Sequence, residues 1–489
     1  MFAELPLQPP QEAPAVPLVV DLDGTLLKTD LLAETASAFV LRSPWRAWQL
    51  LAWLAQGRSH LKAQLAQQAP PEVATLPYNE ELLVWLRDQK QRGRRIILAT
   101  GSHRLLAERV ASHLQLFDQV LATEGAANLK AEAKRDALVD LYGKGGFDYV
   151  GNDRADLPVW QSAAQAHVVC RLSQPPACIA VADNLGRTIG TAAPHAAAAL
   201  LQAMRPHQWL KNLLLLLPLF TAHAYGNPVS VLQALLAFLA FSLAASGVYL
   251  LNDLSDIAAD RHHPSKRMRP FAAGSLAIVH GWVAWPSLLA AALALCWLLP
   301  PSFGLALGVY VALTTAYSLR LKQIPVLDVL TLASLYTLRV VAGAAAIGVP
   351  LSFWLLAFSM FMFVSLAFMK RYSELEAIRS TSEPQALRGR GYKPTDFELV
   401  ASLGSTAGQV AILVLALYIQ DATTAALYAE PRFIWLACPL LLYWVSRAWL
   451  ITHRGQMHDD PVIFALKDRP SWAILGLVAL AFILARTGL

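Results

Sequence analysis

Long apolar stretches that follow one another after Ala199 constrain this chain more than any other feature of its 489 residues. About 20 consecutive apolar residues can cross the hydrocarbon core of a bilayer as a helix. Window reasoning predicts about nine such spans, which begin near Trp209, Val229, Trp282, Phe303, Leu327, Phe353, Leu399, Phe433 and Trp472. Because 56% of the residues are hydrophobic and only 15% are charged, a single water-soluble fold is excluded.

The residues before Ala199 have a different pattern, with evenly spread charges and frequent turn residues. The sequence therefore predicts a multidomain protein: an α/β domain over residues 1–195 and an all-α polytopic membrane bundle over residues 200–489. Residues 1–17 are rich in proline and show no signal-peptide pattern, so we expect the α/β domain to stay in the cytoplasm.

Lys and Arg are distributed unequally among the segments that join the predicted spans. The segments 225–230 and 348–352 contain neither residue, and the basic residues Arg432 and Arg486 are exceptions on that side. The basic segments are Arg205 with Lys211, 253–269, Arg320 with Lys322, 370–393 and 454–469. The positive-inside rule places these basic segments in the cytoplasm, which predicts a multi-pass protein of a bacterial inner membrane.

The remaining composition excludes two other classes of protein. Cys170, Cys178, Cys296 and Cys438 have neither disulfide nor metal-ligand spacing, so we expect no zinc site. The net charge of +6 fits loops beside anionic lipid better than nucleic-acid binding, because the basic residues do not alternate with exposed aromatics.

A cluster of acids followed by bases lies between two of the apolar stretches. Asp253, Asp256 and Asp260 recur at spacings of three and four, so a helix would stack them on one face, where like charges repel. Mg²⁺ would neutralise them, and it usually keeps substrate phosphates in its shell. The neighbouring Asn252 and the bases that could hold phosphate oxygens complete this motif, namely Lys266, Arg267 and Arg269. A solvated cytoplasmic loop is the alternative.

Four motifs in the first part stand in a fixed order. The apolar runs 18–20, 96–98 and 149–150 predict buried strands that end in 21–26, 99–102 and 151–156, and the lysine-containing segment 128–134 lies between the last two. This set resembles the haloacid dehalogenase (HAD) superfamily of phosphotransferases over residues 16–182. The resemblance implies a Rossmannoid α/β fold with a cap.

The same resemblance implies a role for each polar residue. Asp21 would be the nucleophile, and Asp23 the acid and base. Thr100 would bind the phosphate, and Lys130 would offset the charge on Asp21 and on the phosphate oxygens, with Lys134 a weaker candidate. Mg²⁺ would be held by Asp21 and Asp156, with Asp23 as a further metal-binding residue. The chain has Gly151-Asn152 where the family usually has Gly-Asp, so Asp153 is an alternative metal ligand. A degenerate regulatory or scaffolding domain is the alternative function of this part of the chain.

The segment from Leu31 to Glu81 has a helical pattern and predicts a cap at about residues 30–85. It contains several tryptophans and arginines, namely Trp45, Trp48, Trp53, Arg42, Arg46 and Arg58. We expect the aromatics to pack inward, as aromatics at helical spacing usually do. A membrane-interface surface that delivers a lipid-linked substrate is the alternative.

The second part resembles the UbiA superfamily of intramembrane prenyltransferases over residues 201–489. The resemblance rests on the segment 205–212, the acidic motif after the second span, and the segment 317–322. It implies nine helices around a cavity with two aspartate motifs at its cytoplasmic mouth. The second motif is incomplete here, since only Asp328 follows residues 317–322 before Glu374.

The segments 263–270 and 370–375 are similar to the branch of decaprenyl-phosphate phosphoribosyltransferases. That resemblance implies a polyprenyl phosphate acceptor and 5-phosphoribosyl 1-diphosphate as donor, with the diphosphate on Mg²⁺ at Asn252, Asp253 and Asp256. It also implies further substrate-binding residues, namely Arg205, Lys211, Asn212, Tyr317, Lys322, Lys370 and Arg371. Positive-inside anchoring is the alternative for Arg205 and Lys211. Asp328 and Arg339 should pair or face the cavity, because an unpaired charge in an apolar span costs about 2.5–3.5 kcal/mol.

The two parts together predict that the HAD domain removes the 5-phosphate of the lipid-linked product, with the tether raising the local substrate concentration. Two other functions stay open. One is a prenyltransferase that joins a polyprenyl diphosphate to an aromatic or other acceptor, with a regulatory HAD domain. The other is an ion pump, although Asp23 would promote hydrolysis of the aspartyl phosphate that a pump must preserve. The oligomeric state is not predicted.

Overall fold

A computed structural model of the protein describes residues 16–125, 129–171, 184–191, 195–379, 391–420, 428–457 and 460–487. Its contacts divide the chain into two compact units. Unit 1 comprises Met1–Met204 with Leu250–Ala284, and unit 2 comprises Arg205–Tyr249 with Trp285–Leu489. The segment 250–284, which contains the acidic motif, therefore groups with the N-terminal part of the chain.

Unit 1 contains a six-stranded parallel sheet, in which β1 is Leu18–Val20, β2 Ile96–His103, β3 Gln119–Thr123, β4 Asp148–Gly151, β5 Ala166–Arg171 and β6 Leu185–Thr191. The strand order is β3-β2-β1-β4-β5-β6. Leu18 pairs with Ile96 on one side and with Asp148 on the other, and all three residues of β1 are fully buried. A strand buried on both faces needs a continuous apolar run, which Leu-Val-Val provides.

The order of the strands reverses at β1, because the chain adds β2 and β3 on one side before it returns with β4 on the other. Open α/β sheets bind ligands at such a switch point, outside the carboxyl ends of the strands. The loop that begins at Asp21 follows β1 directly at this point. The predicted α/β fold with its first site loop is confirmed.

Helices surround this sheet in the N-terminal part of unit 1. They are Leu31–Arg42, Trp48–Ala55, Arg58–Gln68, Glu80–Gln91, Arg104–Leu114, Glu132–Tyr142, Leu157–Trp160 and Ala196–Met204. The first begins at Asp30, whose side chain accepts hydrogen bonds from the backbone N–H groups of Leu32 and Ala33 at 2.7 and 3.0 Å. The first three helices form the predicted cap.

The cap has a small core of its own, but not all predicted aromatics join it. Phe39 and Leu65 are buried there, and Trp53 packs on Phe39 with ring centroids 5.1 Å apart. Trp45 and Trp48 are 74% and 63% exposed, so the prediction that they pack inward is wrong. The cap is short, and Phe39, Leu65 and Trp53 already fill the space between its helices.

The acidic motif lies where two helices meet. The long helix Pro228–Ser255 ends just before Asp256, and the short helix Ile257–His262 begins just after it. Asp256 has φ −98° and ψ 5°, outside the α-helical region. The expectation that one continuous helix stacks Asp253, Asp256 and Asp260 is therefore wrong, because the backbone turns at the middle acid.

Unit 2 is helical. Eight helices among the described residues of the chain are long and apolar enough to cross a membrane: Pro228–Ser255, Ile278–Cys296, Pro301–Leu319, Leu327–Ile347, Phe353–Ala377, Pro394–Gln420, Pro431–His453 and Arg469–Thr487. The first two continue into unit 1. Unit 2 also contains short α-helices at Leu217–Thr221 and Pro461–Lys467. The chain is a multi-pass membrane protein, as predicted.

The predicted span near Trp209 differs from a membrane-spanning helix. The structure has a 3₁₀ segment at Pro206–Leu216 and a short α-helix at Leu217–Thr221. Pro206 and Pro218 lack the backbone N–H that a continuous α-helix needs for its i to i−4 hydrogen bonds. Eight rather than nine spans therefore lie in the described ranges.

Candidate active sites

A cavity of about 1300 Å³ lies at the carboxyl ends of the central strands of unit 1. Asp21 and Asp23 from the loop after β1, Ser102 from the end of β2 and Asn152 from the loop after β4 line it. The cap adds Lys62. The sheet thus brings together groups that are up to 131 positions apart in the sequence, from Asp21 to Asn152.

Asp21 forms a buried ion pair at the floor of this cavity. The Lys134 ammonium donates to Asp21 Oδ1 at 2.7 Å and to the Tyr149 hydroxyl at 2.8 Å. Burial raises the pKa of Asp21 to about 7, although Lys134 opposes the shift. Asp21 Oδ2 accepts from the Thr25 hydroxyl at the longer distance of 3.3 Å. A carboxylate fixed in this way suits a nucleophile.

The lysine that contacts Asp21 is Lys134 and not Lys130, to which the sequence analysis gave this role. Lys134 is 4% exposed and also lies 3.7 Å from Asp156 Oδ1. Lys130 is exposed at the cavity lining, just before the helix that carries Lys134. Lys134 lies four residues further along the chain, in the first turn of helix Glu132–Tyr142, and from there its ammonium group reaches Asp21.

Asp23 has the surroundings of a general acid. Its Oδ1 accepts from the Leu31 backbone N–H at 2.8 Å, and its Oδ2 accepts from the Ser102 hydroxyl at 2.6 Å. Burial, followed by the Asp30 carboxylate, raises the pKa of Asp23 to about 6. A carboxyl group that titrates close to neutral pH can give up and regain a proton during catalysis.

Ser102 lines the cavity where the sequence analysis named Thr100. Thr100 is fully buried, and its hydroxyl accepts from the Ser102 backbone N–H at 3.0 Å. The signal for Ser102 was present in the sequence, since it lies two residues further on the same strand and so shares a face with Thr100.

Asp156 holds the loop after β4 in shape. Its Oδ2 accepts from the backbone N–H groups of Asn152 and Asp153 at 3.0 and 3.1 Å, and its Oδ1 accepts from the Tyr149 hydroxyl at 2.7 Å. Both oxygens of Asp156 therefore hold this loop, and its role as a metal ligand stays a prediction.

Asn152 places a second side-chain oxygen close to the carboxylate of Asp21. The Thr25 hydroxyl lies 3.0 Å from Asn152 Oδ1 and 3.3 Å from Asp21 Oδ2, so the two oxygens converge on one place beside the cavity. In the described part of the chain no three His, Cys, Asp or Glu side chains form a metal-binding group. Asp21 and Asn152 nevertheless fit Mg²⁺, which binds one or two protein oxygens and completes its shell with water and substrate phosphate.

A segment of the chain beyond the first membrane helix lines the same cavity. Met268, Gly274 and Ser275 are among its lining residues. The Arg261 guanidinium holds this segment to the cap, donating to Glu34 Oε1 at 2.5 Å and Oε2 at 3.3 Å, with both side chains 6% exposed. The cavity that contains Asp21 is thus closed partly by residues that follow the acidic motif.

Two further contacts fix this segment. Arg261 Nε donates to the Ala272 carbonyl at 3.1 Å, which closes the loop between them. The Trp282 indole N–H donates to the Ser37 hydroxyl of the cap at 2.9 Å. Gly274 has φ +70°, and a Cβ there would lie 2.8 Å from Lys28 Cβ, so only glycine fits this close approach.

The acidic motif itself converges on an arginine. Arg269 Nη1 donates to Asp260 Oδ2 at 2.7 Å and to Asp253 Oδ1 at 3.2 Å. Burial raises the pKa of Asp260, and Arg269 opposes this shift. Two carboxylates from different turns thus meet at one cation, which is the arrangement that a Mg²⁺–diphosphate group would need.

The other members of the motif are more open. Asn252 and Asp256 are half-buried, and Lys266 and Arg267 are exposed, whereas Arg269 is half-buried in its acidic pair. Exposed cations can contact a soluble phosphate without first losing a partner.

Unit 2 contains a buried ion pair between Arg371 and Asp328. The sequence analysis assigned Arg371 to substrate binding. Arg371 Nε lies 2.6 Å from Asp328 Oδ2, with both side chains fully buried. Arg371 also pairs with Glu374 and donates to the Tyr317 hydroxyl at 3.1 Å. Asp328 is paired, as predicted. The substrate-binding roles of Arg371 and Tyr317 stay predictions.

Asn212 and Arg339 form a second buried network in unit 2. Arg339 Nε donates to Asn212 Oδ1 at 2.9 Å, and Asn212 Nδ2 donates to Ser242 Oγ at 2.9 Å. The Arg339 guanidinium lies 5.0 Å from the Tyr310 ring centroid. Arg339 is therefore paired within the bundle, as its charge requires.

Asp460 is a residue that the sequence analysis missed. It pairs with Lys211 and accepts hydrogen bonds from the backbone at the start of helix Pro461–Lys467. Burial alone would raise the pKa of Asp460, but Lys211 and Lys370 lower it. Its position before a proline, as a helix cap, was the signal in the sequence.

Arg205, Lys322 and Lys370 are the other residues of unit 2 that the sequence analysis predicted to bind substrate. The Arg205 guanidinium lies 5.2 Å from the centroid of the Tyr249 ring, and Lys322 is half-buried near the 3₁₀ turn Leu321–Gln323. Lys370 is half-buried beside Arg371 on helix Phe353–Arg379.

Two family models match the chain. The UbiA prenyltransferase family matches residues 213–467, and the haloacid dehalogenase-like hydrolase model matches residues 18–158. Both resemblances in the sequence are thereby confirmed.

Three relatives illustrate how the similarity is distributed. Uncharacterized protein y4nM of Sinorhizobium fredii is 37% identical over 96% of this chain and 91% of its own length. Nodulation protein NoeC of Azorhizobium caulinodans is 42% identical over 56% of this chain and 90% of its own length. Decaprenyl-phosphate phosphoribosyltransferase of Mycobacterium tuberculosis is 33% identical over 58% of this chain and 92% of its own length.

Proposed function

Because the chain belongs to the UbiA prenyltransferase family and carries a HAD-like hydrolase domain, we propose that it is a polyprenyl-phosphate phosphoribosyltransferase with its own phosphatase. The donor is 5-phosphoribosyl 1-diphosphate and the acceptor is a polyprenyl phosphate. The observation that carries this proposal is the 33% identity to the mycobacterial decaprenyl-phosphate phosphoribosyltransferase over 92% of that protein.

In the transfer step, an oxygen of the lipid phosphate forms a bond to C1 of the ribose while the bond from C1 to the diphosphate breaks. Asp253, Asp256 and Asn252 would hold the Mg²⁺ that neutralises the departing diphosphate. Arg269 would leave its acidic partners to contact the donor, and Lys266 and Arg267 would contact phosphate oxygens.

In the phosphatase step, one carboxylate oxygen of Asp21 attacks the phosphorus of the 5-phosphate, and the bond from phosphorus to O5 of the ribose breaks. Asp23 gives its proton to O5 and then takes one from the water that hydrolyses the aspartyl phosphate. Lys134 holds Asp21 in place, and Ser102 orients Asp23. Mg²⁺ at Asp21 and Asn152 would neutralise charge on the phosphate oxygens.

The chemistry of the two steps explains why one chain would contain both. The transfer product still has a 5-phosphate, which is the substrate that a HAD phosphatase needs. Both active sites would face the cytoplasm of a bacterial cell. The acidic motif lies in one of the segments rich in Lys and Arg, which the positive-inside rule places in the cytoplasm.

The experiment uses the full-length protein in proteoliposomes with polyprenyl phosphate, Mg²⁺ and ribose-labelled donor. The wild type should yield labelled lipid without the 5-phosphate. Asp21→Asn should yield labelled lipid that keeps it, and Asp253→Asn should yield no labelled lipid. Lys266→Gln also neutralises one charged side chain but lies outside both acid sets. It serves as a control that should weaken donor binding without changing which product forms.

Two results would contradict the proposal in separable ways. Identical products from the wild type and Asp21→Asn would remove the phosphatase role. Labelling of lipid only from a polyprenyl diphosphate with an aromatic acceptor would replace the transferase assignment with prenyl transfer.

A further inference from the structure

The cap of unit 1 has an apolar face that is exposed among the described residues. Its members are Trp45, Trp48, Leu51 and Leu54, which are 74%, 63%, 72% and 46% exposed. We call these four residues the outer cap face. Three of them recur every three residues along helix Trp48–Ala55, so they follow one side of it.

The buried core of the cap does not include the residues of the outer cap face. Leu50 and Trp53 on the same helix point to the buried cluster around Phe39 and Leu65. The helix therefore has an inner apolar side that is packed and an outer apolar side that is not. Contiguous exposed apolar surface of this kind marks a protein or membrane interaction site.

The charge around the outer cap face selects one class of partner. No Asp or Glu occurs between Glu34 and Glu72, whereas Arg42, Arg58 and Lys62 fall in this interval. Arg42 and Arg58 are exposed. Tryptophan, leucine and arginine on one helix without acids are the composition of segments that lie in the interface of an anionic bilayer.

We propose that the outer cap face binds to the surface of an anionic lipid bilayer. The tryptophan rings would lie at headgroup level, where Trp is enriched in membrane proteins, and the arginines would contact lipid phosphates. Docking of this kind fits a chain with eight helices suited to span a membrane.

The outer cap face adjoins the phosphatase cavity. Leu54, at its edge, lines the cavity together with Arg58 and Leu61, and the same cavity contains Asp21 and Asp23. A phosphate ester on a lipid could thus pass from the bilayer surface to Asp21 along an apolar and cationic wall. This consequence rests on the proposed function, whereas docking does not.

The test measures how fast a water-soluble maleimide labels single cysteines in the full-length protein, in a background without the four native cysteines. Trp48→Cys and Leu51→Cys report on the outer cap face. Val84→Cys on helix Glu80–Gln91 is the matched control, because Val84 is 64% exposed and Trp48 is 63% exposed. Each variant is compared in detergent and in bilayers of phosphatidylcholine with phosphatidylglycerol.

In bilayers, labelling at positions 48 and 51 should slow by roughly tenfold or more, since burying one large apolar side chain corresponds to about that factor. Labelling at position 84 should not change. Equal rates in bilayers and detergent at positions 48 and 51 would overturn the proposal. Protection in detergent that grows with protein concentration would also overturn it, because a second copy would then cover the face. The readout needs no catalysis, so it stands apart from the phosphatase assignment.

Discussion

Arg261, one residue beyond the acidic motif, forms a buried two-contact ion pair with Glu34 in the first cap helix. Glu34 also accepts from the Thr29 hydroxyl at 2.9 Å, and Thr29 belongs to the loop that begins with Asp21. The loop that begins with Asp21 and the segment that follows the acidic motif are therefore joined by consecutive polar contacts.

Arg261→Ala should loosen the segment 261–277 and the first cap helix. Removing one partner of a buried pair leaves the other charge uncompensated and costs about 3–5 kcal/mol. Hydrogen exchange of the full-length protein, followed by mass spectrometry, should show faster exchange in both segments. The charge-reversed double variant Glu34→Arg with Arg261→Glu should recover part of the protection. Unchanged exchange in Arg261→Ala would mean that the pair does not hold the segment.

Lys134→Met should abolish phosphatase activity and destabilise unit 1, because Asp21 and Asp156 would then lose their shared cation. We expect a loss of about 3–5 kcal/mol from breaking this buried pair. Lys130→Met is the matched control, since Lys130 is exposed and four residues away. Phosphate release and urea unfolding, measured on both variants, would contradict the assignment if Lys130→Met had the larger effect.

Asn152→Asp should lower the Mg²⁺ concentration needed for half-maximal phosphatase activity. The amide oxygen of Asn152 converges with Asp21 Oδ2 beside Thr25, and a carboxylate there would add a charge to a hard-cation site. Asp153→Asn is the control, because Asp153 caps the short turn Arg154–Asp156. A Mg²⁺ titration in which Asp153→Asn rather than Asn152→Asp shifts the midpoint would assign the ligand to Asp153.

Asp23→Asn should slow dephosphorylation by about 10²–10⁴, the usual contribution of a general acid and base. The amide keeps the size of the side chain and can still contact Ser102, so the fold should be preserved. Single-turnover phosphate release from a small phosphate ester is the measurement. A rate within a few-fold of the wild type would assign proton transfer to another group.

Arg371→Met should impair folding rather than donor binding, because Arg371 is fully buried against Asp328. The uncompensated Asp328 should cost about 3–5 kcal/mol. The double variant Asp328→Leu with Arg371→Met should be more stable than Arg371→Met alone, since an apolar pair leaves no buried charge. Thermal unfolding in detergent checks both, and a stable Arg371→Met with weakened donor binding would restore the substrate role.

Much of the fold followed from local patterns. The fully buried run Leu18–Val20 and the apolar spans have the lengths and residue types of a parallel strand and of membrane helices. The order of the HAD motifs placed Asp21 and Asp23 at the switch point of the sheet. Such features depend on residues that are close in sequence, so they can be predicted without knowing how the chain packs.

The choice between neighbouring candidates did not follow from local patterns. Lys130 lies before helix Glu132–Tyr142 and Lys134 lies in its first turn, and only the packing of this helix on the sheet decides which one reaches Asp21. Arg371 is a cation on a predicted cytoplasmic segment, and only the position of Asp328 on another helix accounts for its burial.

The sequence by itself determined that this chain has an α/β part with HAD motifs and a membrane part with UbiA motifs, because residue type and spacing specify those properties. Tertiary structure alone decided that residues 250–284 join the N-terminal unit, that Arg261 meets Glu34 across 227 positions, and that Trp48 faces outward. The physical reason is that a side chain's partner is set by which surfaces meet in space, and distant segments have no periodicity that relates one to the other.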